Sequence, residues 1–305
     1  MSQSRRHQLL AWAVPRMRRS RDLDSPEAER ARLEEWHRQT PGGLPTQAVR
    51  GFDKRFSVVT EVLQGAAGTF PSYVVTPRHI DPRRTVVYLH GGGFVSGIDP
   101  FQVRYLARLA TALEARVVVP DYPVAPEHTW RDSHDPVVDL TARWAKDSED
   151  LLLAGDSAGG GYALAVALTL RDRGGPQADR LLLVSPWVDL TTSTPETAEF
   201  SRADPWLFLG KLTAYAGWWA GSPDDLARPE VSPALGNLSD LPPALMFCGT
   251  RDTLAPGCRL LERRAAEAGW ELTYVEVADL LHVYPLLPLI PEAEDAWQRT
   301  MEFLR

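Results

Sequence analysis

Short apolar runs that alternate with helical patterns are the sequence feature that most constrains how this chain can fold. Runs rich in Val, Leu, Ile and aromatic residues predict eight strands, and helical patterns separate the later ones. This alternation is typical of a doubly wound, mostly parallel α/β sheet covered by helices on both faces. No helix separates the first two predicted strands, so we expect them to form an antiparallel edge. The predicted strands are residues 56–63, 70–75, 85–89, 116–120, 151–154, 181–184, 244–248 and 272–277, and the predicted helices are 101–113, 136–146, 158–171, 256–268 and 292–304.

Two helical segments lie outside this alternation. Residues 1–50 precede the first strand, and residues 189–238 separate the sixth strand from the seventh. We therefore divide the chain into an N-terminal helical segment, 1–50, and a main domain, 51–305, that carries an insertion at about 189–238. We expect the segment and the insertion to form one cap.

The composition of the two segments supports docking on the main domain. The N-terminal segment is amphipathic, and a basic helix lying on a membrane surface is the alternative for it. The insertion is too rich in aromatic side chains to leave them all in water. The first 21 residues of the N-terminal segment carry Arg5, Arg6, Arg16, Arg18, Arg19 and Arg21. The aromatic residues of the insertion include Trp206, Phe208, Tyr215, Trp218 and Trp219.

The overall composition limits the class of protein and of partner. Of the 305 residues, 44% are hydrophobic and 24% are charged, the proportions of an ordinary globular protein. The formal net charge of -7 argues against nucleic acid or an anionic membrane as a partner, because proteins that bind them carry basic patches. A small-molecule partner fits this charge better. A homodimer is neither indicated nor excluded.

The sequence indicates neither a targeting segment nor a membrane span. The apolar stretch 9–14 is shorter than the ~7–15 residues of a signal-peptide core, and Arg16 follows closely. No window approaches the ~18 apolar residues that a membrane span needs. We therefore expect a cytoplasmic protein without stable membrane insertion. Cys248 and Cys258 are the only cysteines, so the sequence has no disulfide framework.

The segment from Leu151 to Gly161 combines a short apolar strand, the pattern Gly-x-Ser-x-Gly and the start of a helix. A serine hydroxyl becomes an effective nucleophile when a sharp strand-to-helix turn exposes it, and such a turn requires small flanking residues. Gly155 and Gly159 provide them around Ser157. The start of the helix also directs backbone N–H groups towards developing negative charge. These features predict Ser157 as a catalytic nucleophile, although the pattern alone also occurs in ordinary glycine-rich turns.

The third predicted strand ends in His90-Gly-Gly-Gly-Phe94, a run that costs conformational entropy on folding. Bare backbone is useful in acyl transfer, because glycine N–H groups can approach the oxyanion of a tetrahedral intermediate. We assign the N–H groups of Gly92, Gly93 and Ala158 to this oxyanion hole. The run fits neither Gly-x-Gly-x-x-Gly nor the phosphate loop that ends in Gly-Lys-Ser or Gly-Lys-Thr. His90 precedes the serine, so we expect it to hold the loop by a structural hydrogen bond.

His282 is the predicted general base. In hydrolases with this serine turn the chain order is Ser, acid, His, and His282 is the only histidine after Ser157. It follows the eighth predicted strand in a loop, where a base can project towards the serine. Asp252 follows the seventh strand and is the predicted acid, which fixes the imidazole tautomer and stabilises the imidazolium. Asp279 is the competing acid and is otherwise a turn residue.

The chain carries a specific set of motifs, namely His90-Gly-Gly-Gly-Phe94, Asp121-Tyr-Pro-Val-Ala-Pro-Glu127, Gly155-Asp-Ser-Ala-Gly-Gly160, Ser185-Pro-Trp-Val-Asp-Leu-Thr191, Ser232-Pro233, Gly249-Thr-Arg-Asp252 and His282. Over roughly residues 55–304 it resembles the bacterial hormone-sensitive-lipase-like esterases, a branch of the α/β-hydrolases. The resemblance implies an α/β-hydrolase fold and hydrolysis of esters with short to medium acyl chains, without metal or cofactor. It also implies a helical cap built from the N-terminal segment and the insertion, and a scaffolding role near the site for Asp121, Tyr122 and Glu127.

Two departures from the family pattern, Val283-Tyr284 after the histidine and Thr253-Leu254 after the acid, leave the substrate preference open. The sequence predicts a carboxylesterase that forms an acyl-enzyme on Ser157 from a small-molecule ester. The alternatives are an amide or acetyl hydrolase or an acyltransferase in a biosynthetic pathway, and a non-catalytic small-ligand binder on the same fold. The intact Ser, His and Asp set argues against the binder. The predicted pocket residues are Phe94, Trp218 and Trp219, with packing of the aromatic residues against the sheet as the alternative.

Overall fold

The computed structural model describes residues 3–17, 21–40 and 42–305. Arg18 and Arg19, two of the basic residues of the N-terminal segment, lie outside the described residues. The strands of the central sheet are β1 Phe56–Gly65, β2 Gly68–Pro77, β3 Arg84–Leu89, β4 Ala115–Pro120, β5 Asp150–Asp156, β6 Arg180–Val184, β7 Ala244–Arg251 and β8 Leu272–Leu281.

The strands form one eight-stranded sheet in the order β1-β2-β4-β3-β5-β6-β7-β8. β1 pairs with β2, and β2 with β4, in antiparallel fashion, whereas the other neighbouring pairs are parallel. The antiparallel edge lies where the sequence has no helix between the first two strands, as predicted. The predicted fold class, a mostly parallel eight-stranded α/β sheet, is confirmed.

Helices cover the sheet. The helices of the described residues are α1 Arg5–Met17, α2 Pro26–Gln39, α3 Phe52–Arg55, α4 Pro100–Ala112, α5 His134–Asp147, α6 Ala158–Asp172, α7 Thr197–Ala203, α8 Leu209–Ala220, α9 Ala255–Ala268 and α10 Pro291–Phe303. The five predicted helices correspond to α4, α5, α6, α9 and α10. Local signals explain where some of the helices begin. The side chain of Ser25 accepts the Ala28 N–H at 3.1 Å ahead of α2, and Asp99 and Gln102 form a reciprocal capping box at the start of α4.

The core lies on both faces of the sheet, because successive side chains of a strand point in opposite directions. In β3, Val87 and Leu89 belong to one core cluster and Val86 and Tyr88 to the other, and all four are at most 1% exposed. The inner strand β3 is therefore buried on both faces rather than alternating. The free thiols of Cys248 in β7 and Cys258 in α9 are also fully buried.

The parallel strands bring their carboxyl ends to one edge of the sheet, where ligands bind in open α/β folds. β3, β5, β7 and β8 lead directly into His90, Ser157, Asp252 and His282. The predicted site residues therefore meet at this edge.

The helices of the N-terminal segment and of the insertion touch each other. The Tyr215 hydroxyl of α8 donates to the carboxylate of Glu29 in α2, and the Lys211 Nζ lies 3.3 Å from the same carboxylate. Among the described helices, none combines the length and apolar character that crossing a membrane requires. The cytoplasmic location stays a prediction.

Candidate active site

Ser157 occupies the turn between β5 and α6 with a φ of 53° and a ψ of -125°. A positive φ is costly for a residue with a side chain, so the surrounding structure must hold it in place. The backbone N–H of Ser157 donates to the Val184 carbonyl at 2.8 Å, and its carbonyl accepts the Trp187 N–H at 2.9 Å. Gly159 permits the close approach of strand and helix, because a Cβ there would lie 2.1 Å from the Leu89 carbonyl oxygen.

His282 and Asp252 continue from the serine in one hydrogen-bonded series. The Nε2 atom of His282 lies 2.9 Å from the Ser157 Oγ, and its Nδ1 atom lies 2.9 Å from the Asp252 Oδ2. The exposed fraction falls from 9% at Ser157 to 4% at His282 and 0% at Asp252. The series therefore leads from a cavity wall into the interior, where charge interactions are only weakly screened.

The surroundings of His282 favour its protonated form. Burial opposes protonation of the ring, but the charge of Asp252 and its hydrogen bond outweigh that effect, so the pKa of His282 is raised above its ordinary value of 6.5. Asp252 also accepts the Leu254 N–H at 2.9 Å through Oδ1 and the Cys248 thiol at 3.5 Å through Oδ2. In the neutral ring, a proton on Nδ1 towards Asp252 leaves Nε2 free to accept the proton of Ser157.

Asp279, the competing acid, lies exposed within β8, where the pairing of β8 with β7 is irregular between the Gly249–Val277 and Arg251–Leu281 pairs. Its φ of 64° is left-handed, and its backbone N–H donates to the Thr250 hydroxyl at 2.9 Å. The geometry thus favours Asp252 over Asp279 as the partner of His282.

The glycine loop after β3 rests on a buried carboxylate, that of Asp156. Its oxygens accept the Tyr88 hydroxyl at 2.7 Å, the Gly91 N–H at 3.0 Å and the Gln102 amide at 3.0 Å. Burial raises the pKa of Asp156 despite these bonds. The sequence alone did not reveal that Asp156 supports the glycine loop. Asp156 occupies a variable position of Gly-x-Ser-x-Gly, and its partners are distant in sequence.

Gly92 and Gly93, the predicted oxyanion-hole residues, line the same cavity as Ser157 and His282. Their φ angles of 124° and 64° are conformations that residues with side chains rarely adopt, which accounts for the glycines. Ala158 is the first residue of α6, so its N–H belongs to the helix N-terminus beside the serine. This placement is compatible with the three predicted donors.

Aromatic stacking and hydrogen bonds hold the glycine loop from the other side. His90 is fully buried, its Nδ1 atom lies 3.0 Å from the Gly91 carbonyl, and its ring stacks on Tyr122 with centroids 4.1 Å apart. The Tyr122 hydroxyl donates to the His90 carbonyl at 2.6 Å.

The N-terminal segment also contacts this loop, because the Nε2 atom of His37 in α2 lies 2.8 Å from the Val95 carbonyl. Nearby, Asp121 Oδ1 is 3.9 Å from His90 Nε2 and Glu127 Oε2 is 2.9 Å from His37 Nδ1.

A cavity of about 820 Å³ opens onto Ser157 and His282. The Trp206 ring packs edge-on against the His282 ring with centroids 5.7 Å apart and forms part of the cavity wall. The insertion contributes Trp206, Leu207, Phe208, Lys211, Leu212 and Tyr215 to the wall, and the N-terminal segment contributes Arg21, Glu29, Arg32, Leu33 and Trp36. The volume of this cavity lies in the range typical of small-molecule binding sites.

The prediction for the pocket residues Phe94, Trp218 and Trp219 was wrong, because the cavity wall includes none of the three. Phe94 and Trp219 are 2% and 1% exposed and stack on each other in the core, with ring centroids 4.3 Å apart. Trp218 is half-buried and contacts Tyr215, at 5.6 Å between ring centroids. Helix α8 presents Leu212 and Tyr215 to the cavity instead, so the packing alternative holds for Trp219.

Asp204, at the end of α7, ties the insertion to the loop of Asp252. One carboxylate oxygen accepts both the N–H and the hydroxyl of Thr253, at 2.8 and 3.0 Å. The other accepts the N–H groups of Trp206 and Leu207, at 2.8 and 3.1 Å. Burial and the nearby charge of Asp252 raise the pKa of Asp204. Sequence reasoning missed this residue because a single aspartate in a helical insertion carries no distinguishing pattern.

Comparison with known proteins agrees with this architecture. Residues 86–286 match a family model described as the alpha/beta hydrolase fold. The esterase LipI of Mycobacterium tuberculosis is 33% identical over 298 residues, which cover 92% of this chain and 88% of the relative. An acetyl-hydrolase of Streptomyces hygroscopicus is 32% identical over 258 residues, covering 79% of this chain and 85% of the relative. A solved esterase of the bacterial hormone-sensitive lipase family matches with a TM-score of 0.77 at 26% identity, covering 100% of this chain and 99% of that chain.

The chain belongs to the α/β-hydrolase family, as the family model and the sheet topology show. The resemblance to the bacterial hormone-sensitive-lipase-like group is confirmed by these relatives. Within that group the chain is a carboxylesterase.

Proposed function

We propose that the chain hydrolyses small neutral esters with short to medium acyl chains through an acyl-enzyme on Ser157. The observation that supports this most is the hydrogen-bonded series of Ser157, His282 and Asp252 at the wall of a cavity of about 820 Å³. A net charge of -7 fits a neutral substrate better than a nucleic acid.

Acylation uses His282 first as a base and then as an acid. Its Nε2 accepts the hydroxyl proton while Ser157 Oγ bonds to the ester carbonyl carbon, and the carbonyl oxygen becomes an oxyanion. The N–H groups of Gly92, Gly93 and Ala158 stabilise that oxyanion, and Asp252 stabilises the imidazolium. The carbon–oxygen bond to the alcohol then breaks, and the imidazolium returns the proton to the leaving oxygen.

Deacylation repeats these steps with water. His282 accepts a proton from the water molecule while its oxygen bonds to the acyl carbon, and the same N–H groups stabilise the second oxyanion. The bond to Ser157 Oγ breaks, the imidazolium reprotonates the serine, and the carboxylic acid leaves. No group beyond the three side chains and the backbone donors is needed to balance the protons.

We also propose that the N-terminal segment and the insertion form one cap that sets the substrate pocket. Both contribute side chains to the cavity wall. They are joined by the contacts of Glu29 with Tyr215 and Lys211, and by the Lys211 N–H, which donates to the Asp22 carboxylate at 3.1 Å. A wall made by both segments limits the length of acyl chain that the cavity accepts.

An acetyl ester as the preferred substrate is a second candidate, since one similar protein is named an acetyl-hydrolase. Initial rates on p-nitrophenyl esters from acetate to dodecanoate, beside the matching anilides, separate the candidates. We expect turnover of the esters with a maximum at short or medium chains, and Ser157→Ala should lose roughly 10⁵-fold or more in kcat with its fold retained.

Each other result has a distinct meaning. A preference for anilides would indicate an amidase, and no turnover of any substrate would favour a binding protein. Wild-type turnover by a folded Ser157→Ala sample would reject the assignment of the nucleophile.

A further inference from the structure

His7 of α1 is fully buried and contacts the peptide group next to the proposed catalytic base. Its Nε2 atom accepts the backbone N–H of Leu281 at 3.1 Å, although the two residues lie 274 positions apart. Leu281 is the last residue of β8 and directly precedes His282. A buried N–H group requires an acceptor, because leaving it unpaired costs ~1–3 kcal/mol.

The peptide group on the other side of His282 is held in the same way. The backbone N–H of Val283 donates to the hydroxyl of Ser185 at 3.0 Å, and Val283 has a φ of 49°, which is strained for a β-branched residue. The two N–H groups that flank His282 are thus both bound by side chains from outside its loop. Ser185 lies at the end of β6, whereas His7 comes from the N-terminal segment.

The first residues of the chain that the structure describes are anchored on the same region. The Ser4 N–H and hydroxyl donate to the two carboxylate oxygens of Glu292, at 2.6 and 2.9 Å. α1 is further held by the buried side chain of Val14, which is 1% exposed. The position of His7 against Leu281 is therefore fixed from several directions.

We propose that His7 is a positioning residue for the catalytic base: by accepting the Leu281 N–H, it keeps His282 in register with both Ser157 and Asp252. The inference rests on the proposed role of His282. It assigns to the N-terminal segment a function in the chemical step, in addition to its contribution to the cavity wall. A base displaced by about 1 Å loses on the order of 10²-fold in rate, so a small shift of this loop matters.

The contact requires the Nε2 atom of His7 to be unprotonated, which places the ring proton on Nδ1. The Gln3 amide lies 2.7 Å from Nδ1 and must present its oxygen there, because its NH2 group cannot accept this proton. The charged groups that act on the ring are Glu292 in α10 and Arg251 at the end of β7. Burial lowers the pKa of His7; Glu292 opposes this effect and Arg251 adds to it. The neutral ring is therefore favoured at the pH values where His282 acts as a base.

The test compares His7→Leu, His7→Gln and the matched control Val14→Ala on p-nitrophenyl acetate. His7→Leu leaves the Leu281 N–H without its acceptor, and we expect kcat to fall about tenfold or more with KM within about twofold. The acid limb of its kcat profile should also move to lower pH, because a looser contact with Asp252 raises the pKa of His282 less. His7→Gln places an amide oxygen near the Nε2 position and should recover kcat to within about threefold of the wild type.

Val14→Ala weakens the docking of α1 without removing the acceptor, so it should lower Tm yet leave kcat and the acid limb unchanged. If His7→Leu does not fold, His7→Asn replaces it, since an asparagine is polar but too short to reach Leu281. An unchanged kcat and acid limb in His7→Leu, or in His7→Asn where it replaces His7→Leu, would overturn the proposal. A loss of kcat in Val14→Ala equal to the loss in the His7 variant would overturn it as well. Wild-type hydrolysis that disappears in Ser157→Ala establishes the proposed function separately, so a failure of the His7 test concerns His7 alone.

Discussion

Asp204 and Thr253 are joined by two hydrogen bonds to one carboxylate oxygen, from the Thr253 N–H at 2.8 Å and from its hydroxyl at 3.0 Å. Thr253 directly follows the proposed catalytic acid, Asp252. Asp204 also accepts the N–H of Trp206, whose ring packs against His282. The insertion therefore contacts His282 and the residue next to Asp252, and changes in it should alter catalysis as well as substrate range.

Asp204→Ala should destabilise the fold and reduce kcat, because it leaves buried N–H groups without acceptors. We expect a loss of at least ~1–3 kcal/mol in the free energy of unfolding, measured by chemical denaturation. Thr253→Val is the matched control, since it removes only the hydroxyl bond and should cost about 1 kcal/mol. Equal stability of Asp204→Ala and the wild type would show that these bonds contribute nothing.

Asp252→Asn should lower kcat by on the order of 10⁴, because an amide permits the wrong tautomer of His282. Asp279→Asn is its control, at an exposed residue of β8 in the same region, and should retain most of the activity. Steady-state kinetics on p-nitrophenyl acetate measures both. A larger loss in Asp279→Asn would transfer the role of the acid to that residue.

The pH profile should follow the raised pKa of His282. Only the neutral ring can accept the serine proton, so kcat should fall as the pH drops through a value above 6.5. The same shift stabilises the folded state below pH 6.5, and that stabilisation is lost as the pH rises through the raised pKa. Initial rates across the pH range check the activity limb, which should move down in Asp252→Asn. A wild-type profile that is flat on the acid side would argue against His282 as the base.

Leu212→Ala should shift the acyl-chain preference towards longer esters, because this side chain lies on the cavity wall and its truncation enlarges the pocket. Trp218→Ala should leave the chain-length profile unchanged, since Trp218 lies in the same helix but not on that wall. Rates on a series of p-nitrophenyl esters compare the two variants. If Trp218→Ala changed the profile more than Leu212→Ala, the cavity described above would not be the acyl pocket.

Patterns that repeat along the chain could be read from the sequence. The apolar runs of the strands and the helical periods between them depend on local burial, so each strand appears where its run lies. The three residues of the hydrogen-bonded series were predictable for another reason. The glycine pattern marks Ser157, His282 is the only histidine after it, and the order along the chain places the acid between the two.

Contacts between distant segments could not be read in this way. His7 meets Leu281 through a backbone N–H, and a backbone group carries no sequence signal. Trp219 failed as a pocket residue because the direction of its side chain depends on how α8 packs against the main domain, where it meets Phe94. The aromatic content of the insertion shows that its side chains must be buried. It does not show whether they line a cavity or pack in the core, as Trp219 does against Phe94.

The buried thiols of Cys248 and Cys258 provide the chain with its own chemical probe of motion behind the catalytic acid. Cys248 contacts Asp252, and neither sulfur is exposed in the folded state, so a thiol-reactive reagent gains access only when β7 and α9 separate. When closing is faster than the reaction, the labelling rate gives the free energy of that opening. Its dependence on denaturant then distinguishes a local separation of these two elements from global unfolding, with no cysteine introduced.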